Sequence, residues 1–169
     1  FVSAKFGDGV DFDGASSYLT GTGSSDYQFA PGDNFTIAFW LKINSVPGDY
    51  VGVLGTATSW YPSGVWTIRV GPQSRMNMMD NGYGLTSGSV NSSWHRIVFV
   101  KNNTNSVHVY IDGILNASTE SWSTNFNSVD GMLFGKTPNN NYMDATVDDV
   151  AIYKNYAFSS ANITTDWNN

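Results

Sequence analysis

Apolar and polar residues alternate with a period of two from Phe35 to Ile43. Phe35, Ile37, Phe39, Leu41 and Ile43 fall on one side, and Thr36, Ala38, Trp40 and Lys42 on the other. A strand that buries one face and shows the other to solvent reads this way. The alternation recurs in VWTIRV from Val65, RMNMM from Arg75, WHRIVFVK from Trp94, SVHVYIDG from Ser106 and VDDVAIYK from Val147, and in the shorter YVGVLG from Tyr50 and GMLFG from Gly131. Between them lie clusters of Gly, Asn, Ser and Pro such as GTGSSDYQFAPGDN, GPQS, KNNTNS and KTPNNN. Short strands joined by turn-forming residues, with no long helical pattern between them, predict antiparallel sheets. KNNTNS and IDGI read as tight hairpin turns, because Asn, Asp and Gly tolerate positive φ. One short helix is expected near the C-terminus, capped by Ser159 or Ser160, with Ala161, Ile163, Thr164 and Trp167 set against the rest. The fold class is therefore all-β, a two-sheet antiparallel sandwich with a short C-terminal helix.

Composition agrees. In 169 residues, 41% are hydrophobic, 15% aromatic and 13% charged, with 17 Gly. That length suits one well-buried core, so residues 1–169 are expected to form a single domain. The beginning, Phe1 to Lys5, lacks the charged-then-apolar layout of a secretory signal, and the abrupt start is read as a domain cut from a larger protein. Net charge is −6, and the eight Lys and Arg are scattered singly, so a nucleic-acid partner is disfavoured. No apolar run is long enough to span a bilayer, so membrane insertion is not expected. The absence of cysteine removes disulfides, thiolate nucleophiles and Cys-based zinc sites together. Five N-x-S/T sequons, at Asn34, Asn91, Asn102, Asn116 and Asn162, are no more than chance supplies in so Asn-, Ser- and Thr-rich a chain.

Catalytic chemistry finds little support. Glu120 is the one glutamate and has no neighbouring carboxylate in sequence, while Asp148 and Asp149 adjoin in a strand and so point to opposite faces. Hydrolysis of a glycosidic bond needs two carboxylates flanking it. His95 and His108 lie inside strands with no nucleophile motif beside them, and GTGSSDYQ lacks the helix-opening Lys of a phosphate loop. No catalytic residue is assigned. Strict alternation in VDDVAIY puts Asp148 on the side of Val150 and Ile152, which read as inward; an inward carboxylate must be paired, hydrogen-bonded to backbone or bound to a cation.

Binding is better represented. Sugars present apolar C–H faces that stack on aromatic rings, oriented by Asn, Asp and backbone groups. Turn regions supply that mixture: Trp60 and Tyr61 in TSWYPSGVW, Tyr83 in MDNGYG, Trp122 in ESWSTNF, and Asn140 with Tyr142 in PNNNYMD. These residues are the expected ligand-binding set, on loops that converge at one end or edge of the sandwich. Phe35, Phe39, Phe99 and Phe134 are assigned to the core, and Trp66 and Trp94, which open alternating strands, to structure.

VDFDGASSYL near the start, then NFTIAFWLK, SSWHRIVFVKNNTNSVHVYIDG, MLFGK and TVDDVAIYKNYAFSSANI, in that order and over almost the whole chain, resemble the laminin-G-like, concanavalin-A-type jelly roll. The resemblance implies two curved sheets packed face to face, both termini meeting on one sheet, and a role in binding glycans or other surface ligands. Its setting would be extracellular, on a cell surface or virion. The E-x-D-x-x-E pattern of the glucanase relatives is absent. Relatives often hold a structural calcium, for which the resemblance names Asp148, Asp33 in PGDNF and Asp8; capping of backbone N–H groups by Asp148 is the alternative. Two functions follow as expectations: a carbohydrate-binding module attached to a secreted enzyme or adhesin and recognising a glycan or surface polysaccharide, or a structural or adhesion domain of a virion or cell-surface protein that packs against neighbouring domains and binds no sugar.

Overall fold

The computed structural model describes residues 1–56, 64–79, 84–119, 122, 125–127 and 130–168. Its strands are β1 Val2–Ser3, β2 Asp8–Asp13, β3 Leu19–Thr20, β4 Phe35–Ile43, β5 Val51–Gly55, β6 Thr67–Val70, β7 Arg75–Met79, β8 Gly84–Ser89, β9 His95–Lys101, β10 Val107–Ile111, β11 Ile114–Thr119, β12 Leu133–Phe134 and β13 Asp144–Lys154, followed by helix α1, Ser160–Asn168. They form two antiparallel sheets. One has seven strands in the order β1-β2-β13-β4-β9-β10-β11, and the other six in the order β3-β12-β5-β6-β7-β8. The last strand lies between β2 and β4, so both ends of the chain share the seven-stranded sheet.

Each alternating segment supplies an inner face. Phe35, Ile37, Phe39, Leu41 and Ile43 meet Ile68, Val70, Met76 and Met78 of the opposite sheet in one core. At its end Phe29 stacks on Phe35 with centroids 4.3 Å apart, and Trp66 is buried with Nε1 donating to the Tyr27 carbonyl at 3.0 Å. Phe35, Phe39 and Phe99 are buried as expected, while Phe134 is half-buried at the core's margin. The two hairpins take the turns their residues predict. Asn105 has φ +61° in KNNTNS, with the Asn102 side chain accepting from the Thr104 and Ser106 N–H groups, and Asp112 and Gly113 both have positive φ.

Helix α1 begins at a reciprocal cap: Ser159 Oγ accepts from Asn162 N–H, and Asn162 Oδ1 accepts from Ser159 N–H. Its contacts differ from the expected face. Ile163 is buried against Ala38, Val98 and Val100, and Trp167 lies on Trp40 at 5.4 Å, but Ala161 and Thr164 are exposed. Asp166 takes their place, joined to Arg96 Nε and Nη2 at 2.8 Å each.

Strand β13 also departs from strict alternation. Asp148 faces Trp40 in the pairing with β4, yet Ala151 faces Ala38, so one extra residue is inserted and Asp149 adopts φ +46°. This bulge reverses the faces downstream of it. Val147 and Ile152 point to the core, whereas Asp148 lies on the outer side with Trp40. The inward placement of Asp148 with Val150 and Ile152 is thereby corrected: period-two counting fails across a bulge, and Val150 is exposed.

Candidate functional site

The outer face of the six-stranded sheet carries a row of polar side chains that its sequence makes unavoidable. Ile68 and Val70 on β6, and Met76 and Met78 on β7, turn inward, so Arg69 and Asn77 must turn outward. Arg69 Nη2 donates to Asn77 Oδ1 at 3.0 Å, and Asn77 Nδ2 donates to Thr86 Oγ1 at 3.0 Å on β8. The Arg69 guanidinium also lies over the Tyr50 ring, 4.4 Å from its centroid, and touches Met79 Sδ. Opposite Arg69, β5 presents Gly52. A Cβ there would collide with the Lys136 carbonyl, so glycine is what lets the chain after β12 fold over the sheet.

That crossing brings a second group to the same face. Lys136 Nζ sits 3.8 Å from the centre of the Tyr18 ring and 5.5 Å from that of Tyr142, and donates to Asn140 Oδ1 at 2.9 Å. The two tyrosine rings are 6.3 Å apart and inclined by 53°, forming an open wedge with the ammonium between them. Tyr18 is 45% exposed. Asn141 joins the halves of the face, its Nδ2 donating to Asp49 Oδ2 at 3.2 Å and to the Tyr50 carbonyl at 3.3 Å. The result is a band running from Tyr18 and Tyr142 through Lys136 and Asn141 to Tyr50, Arg69, Asn77 and Thr86. Arg69 and Asn77 are themselves buried and brace the face from within, while the exposed Tyr18 ring, the Asn140 amide and the Thr86 hydroxyl match what a pyranose offers, namely C–H faces edged by hydroxyls.

Tyr18 owes its place to Asp13. This carboxylate accepts N–H groups of Ser16, Ser17 and Ala15 and the Ser17 hydroxyl, and these bonds, the Ser16 amide first, hold its acidity far below the usual carboxylate range. Gly14 has φ +71°, and a Cβ on it would approach Asp144 Cβ to 2.8 Å, so the turn tolerates no larger residue. A carboxyl whose pKa is lowered on folding stabilises the fold above its unfolded value, here 3.8, and loses that contribution as pH falls through the folded value. The Ser16 and Ser17 amides are therefore expected to stay protected from hydrogen exchange from pH 7 down to about 4, and to lose protection only in stronger acid. Loss of protection between about pH 7 and pH 5 would count against Asp13 as the organiser of this turn.

Of the ligand-binding residues expected from sequence, Tyr142 and Asn140 come together here. Trp60, Tyr61 and Tyr83 lie outside the described residues; the connections that carry them leave from Gly55 and Thr67, and from Met79 and Gly84, neighbouring strand ends of this sheet. Trp122 is elsewhere. Trp122 is 3% exposed within the main core, and its backbone N–H donates to the Asn105 carbonyl at 2.7 Å, so a turn-rich sequence context there conceals a core residue. Asn141 belongs to the same Asn-rich turn, PNNNYMD, that offered Asn139 to Asn141 with Tyr142, whereas Tyr18, Tyr50 and Lys136 were not in the expected set. Arg69 and Asn77 had a legible signal, being the polar members of alternating segments; Tyr18 and Lys136 had none, because they meet only through the β3–β12 pairing.

The three carboxylates named for calcium do not fit one site. Asp148 accepts from the Phe6 N–H at 2.8 Å and from the Asp149 N–H at 2.7 Å, so its oxygens serve as backbone caps. Asp8 is exposed on β2 nearby. Asp33 sits two residues before the far end of β4, about 15 Å or more from the Asp148 position at the strand rise of roughly 3.3 Å per residue. There its Oδ2 accepts from the Ala30 N–H, beside the buried Lys101, whose ammonium burial pushes toward neutrality while Asp33 opposes. Among the described residues no group of three His, Cys, Asp or Glu side chains is placed to hold a metal. Asp148→Ala is expected to cost about 2 kcal/mol in urea denaturation, since two N–H donors lose their acceptor. Chelator should leave the wild-type melting temperature unchanged; a fall on chelation would overturn the hydrogen-bonding role.

His95 is likewise engaged structurally, Nδ1 with Asp112 Oδ2 at 2.7 Å and Nε2 with Asn91 Oδ1 at 2.8 Å. His108 pairs with Val100 and Ser118 in the sheet. Glu120 lies outside the described residues. No helix among the described residues is long and apolar enough to cross a membrane.

A family model described as the concanavalin A-like lectin/glucanases superfamily matches residues 13–164. No curated protein matches the chain. Among solved structures, the binding domain of Paraclostridial Mosquitocidal Protein 1 is similar with a TM-score of 0.80 and 14% identity, over 99% of this chain and 44% of that chain. Domain 4 of AbnA, a GH43 extracellular arabinanase from Geobacillus stearothermophilus, in complex with arabinotriose, is similar with a TM-score of 0.75 and 16% identity, over 97% and 78%. The binding domain of botulinum neurotoxin DC in complex with SialylT gives 0.63 and 17%, over 81% and 35%. This chain spans less than half the length of the mosquitocidal and neurotoxin structures it matches. At these identities the likeness shows the fold.

Proposed function

Because this chain belongs to the concanavalin A-like lectin/glucanase superfamily, and because one side of the six-stranded sheet gathers tyrosines and amides, we propose that it is a non-catalytic carbohydrate-binding module. The observation that carries this reading is the wedge of Tyr18 and Tyr142 about Lys136, continuous with Asn141, Tyr50, Arg69 and Asn77. A sugar ring stacks on a tyrosine, while Asn140 and Asn141 bond its hydroxyls, and Thr86, three strands across the sheet, meets a further sugar of the same glycan. Trp60, Tyr61 and Tyr83, on connections leaving the same sheet, are the further stacking residues of this reading. Binding without hydrolysis is supported by the chain's own carboxylates: Asp148 is occupied by backbone N–H groups, and Asp149 pairs with Arg96 at 3.1 Å.

Similarity to a domain complexed with arabinotriose and to one complexed with SialylT favours a glycan over a protein ligand. We place the module outside the cell as one part of a longer chain, in keeping with the extracellular arabinanase domain it resembles.

The test is a glycan array followed by calorimetry on the best ligand. Tyr142→Ala is expected to weaken binding about tenfold or more, since removal of a stacking residue at a binding hot spot costs over about 1 kcal/mol, with folding little changed because the ring is only half-buried. Wild-type failure to bind any glycan, or unchanged affinity in Tyr142→Ala, would reject the reading.

A further inference from the structure

Charge is divided unequally between the two sheets. Strands β3, β5, β6, β7, β8 and β12 contain Arg69 and Arg75 and no carboxylate, whereas β2 carries Asp8, Asp11 and Asp13 and β13 carries Asp144, Asp148 and Asp149. The seven-stranded sheet also carries Lys42, Arg96, Lys101 and Lys154, so its strands are acidic on balance, with six carboxylates against four cations, while the strands of the other sheet carry cations alone. Asp49 borders that face, tied to Asn141.

Lys136 is the focus of this asymmetry. Its ammonium lies between the Tyr18 and Tyr142 rings, its hydrogen-bond partner is the neutral Asn140 amide, and among the described residues no carboxylate forms an ion pair with it. A fixed cation beside two sugar-stacking rings has no use for a neutral pyranose that a further amide would not serve as well. It does match a ring that carries its own negative charge.

Resting on the carbohydrate-binding reading, we infer that the face between Tyr18 and Tyr142 selects acidic glycans, with Lys136 receiving a carboxylate or sulfate while a tyrosine supports the ring. The difference in charge between the strands of the two sheets acts in the same sense.

The test compares matched pairs of glycans on the intact protein by calorimetry: oligogalacturonate against its methyl ester, and a keratan sulfate oligosaccharide against its desulfated form. The acidic member of at least one pair is expected to bind about fivefold or more tightly than its neutral partner. Which pair shows the preference identifies carboxylate or sulfate as the anion. That ratio should shrink at about 1 M salt, where the screening length is about 3 Å. In Lys136→Gln, checked for folding by its denaturation midpoint, it should approach one. Equal binding of both members of each pair, or a preference that survives in Lys136→Gln, would overturn the selectivity while leaving the carbohydrate-binding reading intact. Failure of every member to bind would overturn both.

Discussion

Arg96→Ala is expected to lower stability by about 3 kcal/mol or more, the loss measured when one partner of a buried ion pair is removed. Arg96 is 3% exposed, and each of its nitrogens is used: Nε and Nη2 hold Asp166 of α1, and Nη1 holds both the carbonyl and, at 3.1 Å, the carboxylate of Asp149 in the bulge. Its guanidinium also lies 5.8 Å from the Trp40 ring, beneath the Trp167 contact. Removing it leaves the half-buried Asp166 without its cation and frees the anchor between helix and sheet. For a domain of this size the melting temperature should fall by about 6–12 °C. Arg96→Lys should recover only part, because one ammonium cannot span Asp166 and Asp149 as the guanidinium fork does. A variant within about 0.5 kcal/mol of wild type in urea denaturation would show that the clamp contributes little.

Trp122→Ala is expected to cost about 3–5 kcal/mol, the usual range for emptying a buried aromatic site. The corresponding fall in melting temperature is about 6–20 °C. Its position within the core, against an expectation drawn from its Ser- and Thr-rich surroundings, makes the comparison with Tyr142→Ala informative. The first should lose stability and the second ligand. Trp122→Ala that melts as wild type does while losing glycan affinity would return the indole to the binding surface.

The same contrast shows how far sequence reasoning reached toward the site. Tyr142 and Asn140, both part of the proposed site, could be picked out because they lie in an Asn-rich turn, although Asn140 also serves that turn by taking φ +61°. Trp122 looked similar and was not, since local composition does not report which way a side chain turns when the segment has no strand periodicity. Asp148 was recognised as a carboxylate needing partners, and it has them, but the Phe6 and Asp149 amides that satisfy it stand on the outer side of the sheet. One inserted residue at Asp149 moved it there.

By itself the sequence determined the architecture: period-two segments from Phe35, Arg75, Trp94 and Ser106 leave the chain no way to bury its apolar faces except in stacked sheets, and Asn105, Asp112 and Gly113 set its hairpins. It also determined that Arg69 and Asn77 face outward, because their neighbours must face in. Tertiary structure alone decided that Tyr18, Lys136 and Tyr142 form one wedge, that Arg96 reaches Asp166 across 70 residues, and that Asp33 and Asp148 stay apart. The reason is physical. Periodicity records the direction of a side chain relative to its own strand, which is a local property, whereas the meeting of side chains depends on strand order, register and bulges, which are set by packing of the whole sandwich.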